Sequence, residues 1–232
     1  MPLIRTYPTM TPIIPDRRHV MILGASFLLS SCGFTPVSSA VFRTLKIAAA
    51  GLPDVPLTRE QITKIPYATL SAKIGKGPTA LLVLARKDAD YLYWVSADRA
   101  TLVTKHGRIV ETAGFPENLR ATTAQEQDPV ADGLHRLDGP VSFSRSVDID
   151  LNQSYGLRID SLFEPLGPKQ ISIVGLDFKT LLVRERNDAQ TLNWRFYNYY
   201  WVDIKDGFVW KSRQHIARNF PPLVFEILKP AA

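Results

Sequence analysis

The chain has one cysteine, Cys32, in the stretch MILGASFLLSSCGF, and four histidines, His19, His106, His135 and His215. A lone cysteine can pack inertly, react as a thiolate or be modified covalently, and it cannot build an internal disulfide framework. The histidines lie far apart and lack the spacing of a zinc site. No G-x-S-x-G, H-E-x-x-H or phosphate-loop string occurs. Asp148 and Asp150 alternate with Val147 and Ile149, which sets them on the polar face of a strand rather than as a glycosidase pair. No catalytic residues, metal or cofactor are expected from these patterns. The richest cluster is NWRFYNYYWVDIKDGFVW, with Trp194, Phe196, Tyr197, Tyr199, Tyr200, Trp201, Phe208 and Trp210 close together. Such rings can form a carbohydrate platform or fill a β core. Strand alternation puts Trp194, Phe196, Asn198 and Tyr200 on one face and Arg195, Tyr197, Tyr199 and Trp201 on the other. Aromatics therefore stand on both faces, and core is favoured for much of the set. Trp194, Tyr199, Trp201 and Trp210 are the candidate contacts for a glycan or protein partner.

The surroundings of Cys32 decide its use. Arg17 and Arg18 precede VMILGASFLLSS, an apolar run too short for a permanent transmembrane helix, which needs roughly 20 residues. Positive charge, a short apolar run and small residues before a cut are the marks of a secretory signal. Leu29-Ser30-Ser31-Cys32 resembles the lipobox of bacterial lipoproteins. That resemblance implies cleavage before Cys32, a thioether-linked diacylglycerol on its sulfur and acylation of the new amino group. Several acyl chains hold firmly where one is marginal. Gly33, in place of the Asp that retains lipoproteins in the inner membrane, points to the outer membrane. Residues 1–31 are thus a lipoprotein signal, 32–38 a tether and 39–232 a single β-rich domain. The basic region before Arg17 is long and contains prolines, so either Met1 or Met10 is the start. Lys plus Arg number 28 and Asp plus Glu 22; removing the signal takes these to 25 and 21, a net of +4. That charge is ordinary, and no Arg/Lys stripe of a nucleic-acid face is present.

Several elements follow from pattern. Val41, Leu45 and Leu52 recur at helical spacing, with Ser39 able to cap the start and Gly51 and Pro53 to end the helix. Thr58 and Gln61 form a capping box, and Leu57 with Ile62 has staple spacing, which predicts a helix over about 59–64. From Tyr67 the period changes to two. Ala68, Leu70, Ala72 and Ile74 share a face, and TALLVLARKD reads as a strand covered on both sides. Turns are expected at His106-Gly107, Asn187-Asp188 and Asp206-Gly207. The stretch 116–139 reads as a long polar excursion around a weak helix. Val141, Phe143, Val147 and Ile149 share a face that Arg145 interrupts. About ten or eleven strands with short turns and no strand–helix–strand alternation predict a mainly β, antiparallel body.

Three strings, PLTREQITKIPYATLSAKIGKGPTALLVLA, YWVSADRATLVTKHGRIVETAGFPENL and FYNYYWVDIKDGFVWKSRQHIARNFPPLVFEILKP, resemble the YjbF family of bacterial lipoproteins, the group 4 capsule polysaccharide (GfcB-like) lipoproteins. The likeness runs from about Leu57 to Pro230. It implies an outer-membrane lipoprotein working with exopolysaccharide or capsule secretion components, among them a periplasmic protein and a large outer-membrane β-barrel. It also implies a large curved antiparallel sheet wrapped around a few short N-terminal helices. The family supplies no catalytic set, so only Cys32 is carried over as a functional position. The leading expectation is a non-catalytic tether at the periplasmic face of the outer membrane of a Gram-negative bacterium. The alternatives are a polysaccharide-modifying hydrolase, which needs a carboxylate pair beside Trp194 or Trp210, and a carrier enclosing a lipid-linked molecule in an apolar cavity.

Overall fold

The computed structural model describes residues 57–150 and 154–231. Cys32, the signal segment, the tether and the helix expected after Ser39 lie outside the described residues. Helix α1 covers Arg59–Lys64, where the capping box places it: Gln61 N donates to Thr58 Oγ1 and Thr58 N donates to the Gln61 side chain. A side-chain cap of this kind stabilises a helix by about 1 kcal/mol.

Twelve strands follow: β1 Thr69–Ile74, β2 Thr79–Asp88, β3 Tyr91–Ser96, β4 Thr101–Lys105, β5 Arg108–Ala113, β6 Leu119–Thr123, β7 Val141–Ile149, β8 Ser154–Ile173, β9 Leu176–Ala189, β10 Trp194–Asp203, β11 Val209–Gln214 and β12 Leu223–Lys229. Helix α2, Pro129–Asp132, and a 3-10 turn, Leu134–Arg136, lie between β6 and β7. All strand pairs are antiparallel in one sheet of order β5-β4-β3-β2-β1-β12-β11-β10-β9-β8-β7-β6. The two edges, β5 and β6, are consecutive in the chain and meet where Leu119 N donates to Thr112 Oγ1 at 3.0 Å. The sheet is therefore a near-barrel, closed at this seam by a side chain rather than by a ladder.

Curling brings the inner face of one half onto that of the other. Leu70, Leu82, Trp94 and Leu102 from β1–β4 share a core cluster with Ile149, Ile159, Trp194 and Phe196 from β7, β8 and β10. Each such side chain contributes about 1.5–3 kcal/mol by leaving water. A second cluster packs Val130 of α2 and Leu134 of the 3-10 turn against Phe143, Phe163, Tyr200 and Val209. Ile62 of α1 packs elsewhere, with Leu228, Ile173 and Leu81. By strand alternation Leu81 and Leu228 point away from the inward Leu82 and Ile227, so α1 sits on the outer face.

Five expectations change. The described N-terminal helix is not wrapped by the sheet; the interior is filled by strand side chains and the mid-chain α2 segment. The stretch 116–139 holds a strand, β6, before its helix. YGLRIDSLFE and KQISIVGLDF do not form two separate strands: β8 runs through the first and on to Ile173 of the second, with a bulge between Pro165 and Gly167, and after the turn at Val174-Gly175 the remaining Leu176, Asp177 and Phe178 open β9. Asn187-Asp188 is not a turn; both lie inside β9, and the chain reverses at Gln190–Leu192 with Asn193 in the left-handed region. Strand β2 is covered on both faces only in its middle, from Leu81 to Leu84, while its ends are exposed. The turns at His106-Gly107 and Asp206-Gly207 form as expected, with φ of 51° and 97° at the first and Gly207 at 81°.

Candidate functional site

Strand β10 alternates strictly between buried residues and exposed or half-buried ones, and that alternation divides the aromatic cluster. Trp194 is 8% exposed and stacks on Phe196 with ring centroids 3.9 Å apart, against His215. It is a core residue and not a contact surface. Tyr199 and Trp201 point outward. Trp210 is the extra residue of a bulge where the β10–β11 register shifts. Its ring lies on Phe178 at 4.0 Å and against Phe208 at 4.7 Å, and its Nε1 donates to Asp203 Oδ2 at 2.9 Å. Trp210 thus pins the β10–β11 hairpin. Of the four candidates, the structure brings Tyr199 and Trp201 together on the outer face of β10, holds Trp210 half-buried against Phe178 and sends Trp194 into the core.

The register builds that face in rows. Arg184 of β9, Tyr199 of β10 and Arg213 of β11 are cross-strand partners, as are Leu182, Trp201 and Lys211. Arg186 stands opposite Tyr197, and Asp188 opposite Arg195. Cations lie over the rings: Arg184 Cζ is 5.5 Å from the Tyr197 centroid, Lys211 Nζ 5.4 Å from Trp201 and Arg213 Cζ 5.8 Å from Tyr199. Each exposed contact of this kind is worth about 0.5–1 kcal/mol. Arg184 pairs with Glu164 at 3.1 Å, Arg195 with Asp188 at 3.0 Å and Lys211 with Glu226 at 2.7 Å. Beside these rows a shallow depression of about 850 Å³ is lined by Ser142, Ser144, Leu162, Arg186, Arg195 and Tyr197.

The inner face of the same strands carries a charge network that sequence reasoning did not assemble. Glu185 is fully buried; Arg108 approaches it at 3.0 Å, Arg145 at 2.8 Å, and Asn198 Nδ2 and the Tyr200 hydroxyl donate to it at 2.8 and 3.0 Å. Arg145 also donates to Ser161 at 2.7 Å and Asn187 at 3.1 Å. Arg108 forms a two-pronged pair with Asp128, the N-cap of α2. Burial alone would raise the Glu185 pKa, but the two guanidinium charges and the two donors hold it down to about 2. Burial lowers the pKa of Arg145 against the pull of Glu185, and raises that of Tyr200. Gln214 completes the arrangement by accepting from Ile109 N at 3.0 Å and donating to Gly107 O at 2.8 Å. Its amide thus ties the free edge of β5 to β11. The signal was present in Arg145, which interrupts an inward face, and in Glu185, which shares the inward parity of Val183.

The network bears on the alternatives. Glu185 has no solvent access and its oxygens are occupied, so it cannot serve as an acid or base toward a substrate. Asp148 and Asp150 hold loops: Asp148 accepts from Gly156 N at 2.7 Å, and Asp150 accepts from Asn118 at 2.9 Å and pairs with Arg120. Among the described residues no group of three or more His, Cys, Asp or Glu is placed to hold a metal. The interior between Arg145, Trp194 and His215 leaves about 20 Å³, which speaks against an enclosed lipid cavity. A wider hollow of about 460 Å³ opens among Asp90, His106, His135 and Phe208 and reaches Leu92, Trp94, Phe225 and Ile227 of the core.

Residues 42–228 match the family model described as group 4 capsule polysaccharide lipoprotein gfcB, YjbF. The chain is 26% identical over 205 residues to the uncharacterized lipoprotein GfcB of Escherichia coli K12, covering 88% of this chain and 96% of that one. It is 29% identical over 216 residues to the uncharacterized lipoprotein YjbF of the same organism, covering 93% and 99%. The crystal structure of the hypothetical lipoprotein YmcC from E. coli K12 superposes with a TM-score of 0.69 at 24% identity, covering 86% of this chain and 98% of that one. That likeness is one of fold. With the family model spanning most of the chain, the protein belongs to the YjbF family of group 4 capsule polysaccharide lipoproteins.

Proposed function

We propose that the protein is an outer-membrane lipoprotein that acts without catalysis in the export or assembly of an exopolysaccharide or capsule. Signal cleavage before Cys32 and acylation of that residue tether the β domain to the periplasmic face of the outer membrane. Confinement at the membrane raises the domain's effective concentration for an outer-membrane β-barrel, a periplasmic export protein or the emerging glycan. The observation that carries this reading is the division of β9–β11: ionic groups on the inner face are buried and satisfied, while Tyr199, Trp201 and their basic neighbours lie half-buried on the outer face beside exposed Tyr197 and Arg186. A surface of that kind suits contact with an extended chain, and it supplies no buried reaction centre.

The test is Cys32→Ser in the native bacterium. The expected outcome is a domain with unchanged folding by circular dichroism, loss of membrane fractionation and reduced surface polysaccharide. Unchanged polysaccharide at equal protein level would remove the anchoring step from the function.

A further inference from the structure

The outward face of β9–β11 is chemically more specific than a generic sugar platform. A neutral saccharide stacks its C–H face on an open aromatic ring. Here basic side chains lie over the Tyr197, Tyr199 and Trp201 rings, so the face offers guanidinium and ammonium N–H groups beside ring edges. The carboxylates Glu164, Asp188 and Glu226 neutralise Arg184, Arg195 and Lys211. Among the described residues, Arg186 and Arg213 form no ion pair. Arg186 is exposed and borders the depression, which Ser142 and Ser144 line with hydroxyls and whose two carboxylates, Asp160 and Asp188, are paired with Arg158 and Arg195. The row Arg184–Tyr199–Arg213 sets its two guanidinium-bearing strands two strand spacings apart, about 9.5 Å. An extended chain crossing the strands thus meets a cation on either side of a tyrosine. A planar guanidinium fork matches a carboxylate in two parallel hydrogen bonds, which a hydroxyl cannot reproduce.

We infer that this face takes an acidic polysaccharide, a carboxylate-bearing chain laid across β9, β10 and β11, with Arg186 and Arg213 as its main ionic contacts. The inference rests on the reading of the face as a glycan contact and adds the charge class of the glycan.

The test uses full-length protein in detergent with polygalacturonate as the acidic probe, pullulan as the neutral one and phosphatidylglycerol vesicles as a competing anionic surface. Polygalacturonate is expected to bind in preference to pullulan and to weaken steeply with added salt. The double variant Arg186→Glu/Arg213→Glu should lower that affinity about tenfold or more, two charge-assisted contacts being lost. Its melting temperature should fall by no more than a few degrees, because both side chains lie outside the core and only the Arg213–Tyr199 ring contact is lost. Arg186→Lys/Arg213→Lys should keep the salt dependence and lose part of the affinity. Equal, salt-insensitive binding of pullulan and polygalacturonate would overturn the acidic class and leave the glycan reading standing. Binding of neither polysaccharide would overturn both. Displacement of polygalacturonate by vesicles, with vesicle binding weakened by Arg186→Glu/Arg213→Glu beyond what the Cys32 acyl anchor supplies, would assign the face to the membrane surface instead.

Discussion

The two faces of β9, β10 and β11 use the same residue types for opposite ends. On the inner face, Arg108, Arg145 and Glu185 are desolvated, and each finds charged and hydrogen-bonding partners within about 3 Å. On the outer face, Arg186 is exposed, while Arg184, Lys211 and Arg213 are half-buried, lie over rings and are only partly paired. An ion pair in water is worth little, whereas breaking a buried one leaves a charge without solvent or partner. The inner set therefore determines whether the barrel closes, and the outer set is free to serve a ligand. Arg108, Asp128 and Gln214 show how closure works: they tie the β5 edge and the α2 segment to strands on the far side of the sheet.

Breaking the inner network should give the largest effect. Glu185→Ala strands two buried guanidinium groups and is expected to cost about 3–5 kcal/mol, read by urea or thermal unfolding. Replacing a pair together, as in Arg145→Met/Glu185→Met, should cost less than Glu185→Ala alone, because an apolar pair requires no solvation. A double variant as unstable as the single one would contradict that view of the network. Next in size is Gly107→Ala. Gly107 has φ of 97°, and an added Cβ would fall 2.5 Å from Val209 Cβ, so the β4–β5 turn must move. About 1–3 kcal/mol is expected for strain of this kind. Tyr200→Phe removes one donor to Glu185 and should cost about 1–2 kcal/mol. At the small end, Arg184→Ala on the outer face should change stability by less than about 1 kcal/mol.

Acid sharpens the same contrast. Burial, with the Arg213 charge adding to it, lowers the His215 pKa to about 4, so its neutral form is the one that folds. Its contribution is complete above the unfolded value of 6.5 and is lost as pH falls toward 4. Glu185, depressed from 4.5 to about 2, contributes fully above 4.5, and that contribution is lost as pH falls toward 2. Stability should decline in these two successive windows. His215→Gln should flatten the upper one and Glu185→Gln the lower one, measured as unfolding free energy against pH.

Much of the fold was readable because local signals and tertiary contacts agree. The capping box set α1, and Gly107 and Gly207 set two hairpins. Alternation in β10 assigned each aromatic to a face, although choosing which face was inward needed the sheet's curvature. The failures share a cause. Asn187 resembles a turn residue until Arg145, Ser161 and Glu185 satisfy its amide inside β9. Arg145 looks like a flaw in an apolar face until Glu185 is found opposite, two strands away. Trp194 and Trp210 matched the composition of a binding surface but are held by Phe196 and Phe178. A buried polar network has no period in the sequence, because its members come from six strands and become partners only when the sheet curls.

The most direct single measurement is surface polysaccharide in the native bacterium when the only copy of the protein carries Arg186→Glu and Arg213→Glu. The division of labour between the two faces predicts less polysaccharide at wild-type protein level and membrane fractionation, with a melting temperature within a few degrees of wild type. Wild-type polysaccharide under those conditions would contradict the claim that the outer face of β9–β11 is where this lipoprotein meets its ligand.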